Sequence, residues 1–362
     1  MKISNLKFLL LLTPFVFLAS CSSNDEEYIA IQVSPVVMDL SQVPYPKLSD
    51  YKFFEGEMKN QIPSYSVIPY KPTSELFTDY ALKKRFIWMP NGTKANYTGD
   101  SNILSLPIGA ALVKTFYYNN VQPSNTTQII ETRIQIHKVT GWVFANYVWN
   151  SNQTEAFLQT QSATIPISWI DENSILKTIN YHIPSDTECI RCHGNFTDRL
   201  PIGIKPQNLN SNFNYADGSK NQLTKLIEFG YLENNLPTSI VSVVDYKDTS
   251  KSLNLRVRSY FDINCAHCHI DGGEAQVHEL RFAFNQTNVS ANMGVCLNAS
   301  HQLVGYSGNI VRVGDVSQSI LHYRMNTETD VNYRMPAVGR TIKHQEAVQL
   351  IEQWINSLTN CD

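Results

Sequence analysis

Polar and apolar residues alternate through the middle of the chain. The alternation is clearest from Ile130 to His137, and it has the period of a strand with one buried face. Similar segments recur between residues 142 and 183, separated by short polar turns. A succession of this kind is typical of a meander. We therefore expect residues 76–184 to form an antiparallel β-sandwich or barrel.

The pattern changes to a helical period towards the end of the chain. Val257, Tyr260 and Phe261 follow the i, i+3, i+4 spacing, which predicts a helix that runs into Cys265. Apolar residues recur every three or four positions again over 344–358 and predict a second helix. These two segments favour a mainly α-helical domain over residues 251–362, preceded by a smaller module over 185–250. The predicted fold class is α+β with several domains.

The N-terminus has the pattern of a bacterial export signal. Lys2 and Lys7 precede an apolar run over residues 8–17 that is too short to span a bilayer. The sequence Leu18-Ala19-Ser20-Cys21 is similar to a lipobox, which predicts a signal peptide over 1–20 and a lipid on Cys21. An ordinary secretory signal is the alternative.

The segment after the lipobox, residues 21–75, is predicted to be a tether and a loop-rich lead-in. An acyl chain stabilises membrane attachment by about 0.8 kcal/mol for each buried CH₂ group, so several chains hold a protein firmly. We expect a lipid-anchored protein of the cell envelope, on the periplasmic or surface face of the outer membrane.

Composition narrows the class of protein. The 362 residues are 43% hydrophobic and 17% charged, which excludes a disordered chain, a collagen and a coiled coil. The formal net charge is −3, and removal of the signal lysines makes it about −5. Since no basic stripe exists, nucleic acid is not an expected partner.

Four of the seven cysteines fall into two copies of one motif. Cys189-Ile-Arg-Cys192-His193 and Cys265-Ala-His-Cys268-His269 both have the spacing C-x-x-C-H of covalent c-type heme attachment. Two cysteines at this spacing on a helical turn can reach two vinyl groups of one porphyrin. The next histidine then reaches the iron. The sequence thus predicts two heme c groups, with His193 and His269 as proximal iron ligands.

Other cysteine chemistries explain the motifs less well. A thioredoxin-like C-x-x-C requires a βαβ surround, which neither copy has. A four-cysteine zinc site would leave His193 and His269 without a role. Cys21 is assigned to lipid, so Cys296 and Cys361 remain. In an oxidising compartment these two are predicted to form a disulfide.

Several segments resemble a family of exported bacterial diheme c-type cytochromes with a β-rich N-terminal domain. The resemblance covers most of the mature chain and is strongest over Asp262-Ile-Asn-Cys-Ala-His-Cys-His269. The remaining matching segments are 74–80, 107–109, 114–116, 130–133, 147–150, 201–203, 208–210, 221–223, 319–321, 323–325, 335–336 and 339–340. Cys296 and Cys361 also fall where that family has cysteines. The resemblance implies two covalent hemes, an exported location and a C-terminal domain similar to class I cytochromes c.

The sixth iron ligands are less clearly marked. Met335, in the stiff loop Arg334-Met335-Pro336, is the candidate for the second heme, and Met325 is its rival. For the first heme the candidates are Met325, Met89, His182, His137 or an open position, with Met325 favoured. Arg312, Arg324, Arg334 and Arg340 cluster near the second motif, where one or two could pair with heme propionates; ordinary surface arginines are the alternative.

Two main functions are compatible with these patterns. The favoured one is an electron-transfer cytochrome with a redox partner protein in the cell envelope. The alternative is a diheme peroxidase or oxidase, which requires one open iron and a nearby acid or base. A third interpretation makes the β-rich domain a binding module whose hemes sense redox state. The sequence does not predict an oligomeric state.

Overall fold

A computed structural model describes residues 32–194 and 199–361. The predicted signal peptide and the predicted lipidation site Cys21 lie outside the described residues. The described residues from Ser34 onward belong to one compact unit. Among the described residues, no helix combines the length and the apolar character that a bilayer span requires.

An eight-stranded antiparallel sheet dominates the unit. Its hydrogen-bonded order is β10-β9-β5-β6-β7-β8, and β4 pairs with both β5 and β3. The strands of this sheet are β3 (Ile68–Pro69), β4 (Leu82–Trp88), β5 (Ala111–Val121), β6 (Thr126–Lys138), β7 (Gly141–Trp149), β8 (Ala156–Gln159), β9 (Ala163–Ile170) and β10 (Leu176–Ile183). Two separate two-stranded sheets pair β1 (Phe54–Glu55) with β2 (Ile62–Pro63), and β11 (Asn212–Tyr215) with β12 (Gly218–Asn221).

The two faces of the sheet pack against different groups of residues. Phe86, Val113 and Ile134 lie opposite one another on β4, β5 and β6, and they pack with the lead-in residues around Tyr51. Their sequence neighbours point to the other face, because side chains alternate along a strand. That second face carries an apolar cluster at each end and a band of charged residues between them.

The described residues contain six α-helices, most of them short. They are α1 (Asp186–His193), α2 (Pro206–Leu209), α3 (Gln222–Glu228), α4 (Leu253–Asn264), α5 (Ile320–Asn326) and α6 (Gln345–Ser357). Helix α6 packs on α4 and α5. The buried stripe of α6 includes Val348, Ile351 and Trp354, which join one cluster with Val257 and Phe261 of α4. The helical periods of both segments are therefore satisfied by mutual burial.

The expected fold class is wrong. We expected an antiparallel sandwich or barrel followed by a mainly α-helical cytochrome c-type domain. The structure has one large sheet, and in its described part the region 251–361 has three α-helices separated by long turns. The turns have a local cause: Gly294 has a φ of 88°, and a Cβ there would lie 2.5 Å from Ile310. Between α4 and α6, isolated apolar side chains pack into the core and hold these turns in place. They do not recur at the spacing of a continuous helical stripe.

A short segment before β4, residues 74–80, joins the sheet to the C-terminal region. The Asp79 carboxylate accepts hydrogen bonds from the amides of Thr341 at 2.7 Å and Ile342 at 3.1 Å. The hydroxyl of Tyr80 donates to Glu346 on α6 at 2.8 Å. Burial raises the pKa of Asp79, although these hydrogen bonds oppose the shift. The segment thus holds α6 against the start of the sheet.

Candidate heme-binding site

The first motif lies on α1, which begins with a capping box. The Ser185 hydroxyl accepts from the Glu188 amide, and the Glu188 carboxylate accepts from the Ser185 amide at 2.9 Å. Glu188 also pairs with His182 on β10, with 2.9 Å between Nε2 and Oε1. These contacts fix the start of a short helix that packs against β7. The local sequence therefore places Cys189, Cys192 and His193 on one helical turn beside the sheet.

His193 has the environment of a metal-binding histidine. Its Nδ1 lies 2.8 Å from the carbonyl oxygen of Leu200, which can only accept, so Nδ1 donates the proton. That tautomer leaves the lone pair on Nε2, and ligating histidines are held this way by a second contact. The ring also packs on Phe144 of β7 at 4.6 Å between centroids. Burial, reinforced by the nearby Lys114, lowers the pKa of His193 to about 3, which keeps the imidazole neutral.

The second motif follows α4 directly. The Ser252 hydroxyl caps the start of α4, and the amide of Cys265 closes its last turn on the carbonyl of Phe261 at 2.9 Å. Burial raises the pKa of the Cys265 thiol to about 12. The helix is inserted into the C-terminal apolar cluster through Val257 and Phe261. The C-terminal end of α4 therefore places the second motif in the protein interior, whereas α1 places the first motif beside the sheet.

A cavity of about 820 Å³ opens beside the second motif. Cys265, Cys268 and His269 line it together with Met325 and Met335, and Cys192 of the first motif reaches the same cavity. Ligand cavities in proteins measure about 300–1,000 Å³ and are mainly apolar with a few polar groups. The donor set is the thiol, imidazole and thioether set that heme c attachment and ligation use. The residues present thus fit a covalently bound heme.

His269 carries an unsatisfied buried atom in this cavity. Its Nδ1 is buried and has no hydrogen-bond partner among the described residues. Its ring packs edge-on against Phe282 at 5.0 Å between centroids. Burial lowers the pKa of His269 to about 4, so the imidazole is neutral and able to act as a ligand. A neutral buried imidazole with an open nitrogen can act as a ligand, although His269 lacks the second contact that holds the ring of His193.

Two arginines beside the Met335 loop also keep unsatisfied donors. Arg340 is buried and uses one nitrogen for the carbonyls of Arg324 and Thr327, at 3.1 and 3.0 Å. Its Nε and Nη1, and the Nε of Arg334, have no partner in the described part of the chain. Burial lowers the pKa of Arg340. Guanidinium groups with unused donors can bind a carboxylate. This agrees with the sequence-based expectation that arginines in this region pair with heme propionates.

The two motifs meet in space. One ligand atom each from Cys192, His267 and Cys268 lie within 4.8 Å of one another. Arg191 of the first motif pairs with Glu274 after the second, with Nε 2.8 Å from Oε1. A hydrogen bond from Cys268 lowers the pKa of the Cys192 thiol. Sequence reasoning missed His267 and this contact, because nothing in either motif signals that the other lies beside it.

The other candidate ligands are distributed as follows. Met325 and Met335 line the same cavity, and the Met335 amide donates to the Arg324 carbonyl of α5 at 2.7 Å. Met89 is buried in the sheet-side core. His137 stacks on Trp142 at 4.8 Å and its Nδ1 lies 2.9 Å from the carbonyl of Leu106. Neither Met89 nor His137 lines the cavity beside the motifs.

The two remaining cysteines are joined. Cys296 and Cys361 form a disulfide between the turn region and the end of the chain. Cys189, Cys192, Cys265 and Cys268 are free thiols. Cys296 also lines the cavity, so the disulfide braces one of its walls.

Comparison with known proteins gives no relative. The chain matches no protein-family model, no curated protein and no solved structure.

Proposed function

We propose that the protein is an exported, lipid-anchored diheme c-type cytochrome that transfers electrons to a redox partner protein of the cell envelope. The observation that carries the proposal is the meeting of the two C-x-x-C-H motifs. Because their attachment residues Cys192 and Cys268 belong to one cluster, groups bound through them would be neighbours. Adjacent redox groups suit electron transfer. The lipid anchor rests on the sequence around Cys21.

The residues divide into two attachment sets. Cys189, Cys192 and His193 would hold the first heme, and Cys265, Cys268 and His269 the second. Bound heme supplies one-electron iron chemistry. The chain supplies neutral imidazoles at His193 and His269. It also supplies a thioether at Met335, with Met325 as the rival on the same cavity wall.

A catalytic function of the peroxidase type is the second candidate. The cavity wall includes His278 and Glu279, and His301 lies 6.2 Å from His278 between ring centroids. Such groups can move protons at a bound peroxide if one iron is open. The ferric spectrum separates the two functions. A high-spin fraction at neutral pH with peroxide turnover that His278→Gln removes would favour the enzyme, whereas a low-spin spectrum without turnover favours electron transfer.

The decisive experiment counts hemes in the full chain, expressed with a working maturation system. Pyridine hemochrome should report two c-type hemes. The pairs Cys189→Ala/Cys192→Ala and Cys265→Ala/Cys268→Ala should each lose one. The matched control, Cys296→Ser/Cys361→Ser, removes two cysteines outside the motifs and should keep both. Colourless protein that binds one zinc ion and loses it in Cys192→Ala or His267→Ala would contradict the proposal and identify the three-residue cluster as a metal site.

A further inference from the structure

A row of cations crosses the second face of the sheet. Arg85 on β4 lies directly opposite Lys114 on β5, and Lys114 lies directly opposite Arg133 on β6. Asn146 on β7 is opposite Arg133 and extends the row. Directly opposed side chains on antiparallel strands are about 4.5–5.5 Å apart at Cβ, and like charges placed so destabilise the sheet. A row of three basic side chains at this spacing therefore suits an anion.

The charges converge on one aromatic ring. Phe116 is surrounded by Lys83, Lys114 and Arg133, whose charged atoms lie 5.6, 5.4 and 4.5 Å from its centroid. The carboxylate of Glu131 is buried beside these cations. It already accepts hydrogen bonds from Arg133 and from the hydroxyl of Tyr181. Among the described residues, no carboxylate lies within salt-bridge distance of Arg85 or Lys114.

Buried polar atoms in the row also lack partners. Arg85 is 5% exposed and its Nη1 has no hydrogen bond among the described residues. Asn146 is 3% exposed, and neither its Nδ2 nor its Oδ1 is satisfied there. Each such group costs about 1–3 kcal/mol, so the unsatisfied atoms at the two ends of the row indicate missing partners. The Arg133 side chain is 22% exposed, which gives the row access to solvent.

We propose that Arg85, Lys114, Arg133 and Asn146 form a binding site for an oxyanion of the carboxylate type, next to His193. Phe144, two residues before Asn146 on the same face of β7, contacts the His193 ring and places the row beside the first motif. The anion has two possible sources: the carboxylates of a group attached to the first motif, or a free oxyanion from solution. Burial lowers the pKa of Lys83 to about 7, and burial with the nearby arginines lowers that of Lys114, so an anion in the row would favour the charged forms.

Titration calorimetry with sulfate tests the site and separates the sources. A free-anion site binds sulfate in the intact protein, and Lys114→Met weakens binding at least tenfold. If attached carboxylates fill the row, sulfate binds only to the Cys189→Ala/Cys192→Ala chain, with the same dependence on Lys114. Lys84→Met is the matched control, because Lys84 is on the opposite face of β4, next to Arg85, and should leave binding unchanged. No Lys114-dependent binding in either chain overturns the proposal.

A second variant keeps the test valid if Lys114→Met does not fold. Asn146→Asp would supply a carboxylate in the row, opposite Arg133. We expect it to raise the melting temperature and to abolish sulfate binding in whichever chain shows it. A lower melting temperature in Asn146→Asp, with sulfate binding unchanged, would overturn the site. Lys114-dependent sulfate binding to either chain supports the site whether or not hemes are attached, so its loss can be distinguished from failure of the cytochrome proposal.

Discussion

The same five-residue motif occurs in two different settings in this molecule. The first copy is on a short capped helix against the sheet, and its His193 is held by a backbone carbonyl beside a row of cations. The second copy ends a buried helix and opens into a cavity with thioethers, and its His269 has an unsatisfied nitrogen. The comparison teaches that one motif can occupy two different environments, and the surrounding residues decide what each site stabilises.

The largest expected difference concerns folding. The cavity of about 820 Å³ is lined mainly by residues of the C-terminal region around the second motif, so the group that fills it should contribute to the C-terminal core. We expect Cys265→Ala/Cys268→Ala to lower the melting temperature by about 10 °C more than Cys189→Ala/Cys192→Ala does. Thermal unfolding followed by circular dichroism measures both. Equal losses would show that the two sites contribute alike and would break the comparison.

The disulfide should stabilise the second site selectively. Cys296 and Cys361 are 65 residues apart in the sequence, so the chain-entropy model gives about 4 kcal/mol of stabilisation. The variant Cys296→Ser/Cys361→Ser should lose about that much free energy of unfolding in denaturant titrations. Protease cleavage should increase within 251–361 and not in the sheet. Cleavage that rises equally in both regions would count against a selective effect.

The axial ligand should distinguish the two proposed hemes by their reduction potentials. Imidazole stabilises Fe(III) more than a thioether does, so Met335→His should lower one of the two potentials by a shift on the order of 100 mV. Met293→Leu is the control, since Met293 is buried in the same region but does not line the cavity. A redox titration that shifts with Met325→His and not with Met335→His would transfer the ligand role to Met325.

The smallest effect is an acid sensitivity of the C-terminal region. His344 stacks on Phe77 at 4.1 Å between ring centroids, and burial lowers its pKa to about 3. Between that value and the ordinary pKa of about 6.5, the unfolded chain binds a proton that the folded chain does not. The free energy of unfolding should therefore fall as pH decreases through this range, by up to about 1.4 kcal/mol per pH unit.

Substitution isolates that contribution. His344→Gln should flatten the pH dependence of unfolding by about one proton, and His301→Gln, an exposed histidine, should not. A slope that both variants leave unchanged would mean that His344 is protonated in the folded protein, contrary to its environment.

Local patterns in the sequence predicted individual elements well. The alternation from Ile130 to His137 lies within β6, and the helical period over 344–358 corresponds to α6. Both signals depend on burial within one segment, which a sequence displays directly. The disulfide pair could be predicted by elimination, because the other cysteines already had assigned chemistry.

The arrangement of the elements could not be predicted in the same way. The cation row exists only because the strand register places Arg85, Lys114 and Arg133 opposite one another. A shift of one residue in any strand would separate them. Likewise, Cys192 and Cys268 are far apart in the chain, and their proximity depends on packing between distant elements. The prediction of the fold class was wrong for the same reason. Isolated apolar residues between α4 and α6 do not show in the sequence that the chain forms turns there.

The segment 74–80 has a practical consequence for anyone who wishes to divide this polypeptide. A recombinant fragment that starts near residue 251 would lack the carboxylate that accepts from the Thr341 and Ile342 amides. It would also lack the ring that covers His344. The C-terminal region therefore cannot be transferred to another protein as an independent fragment unless residues 74–80 are included.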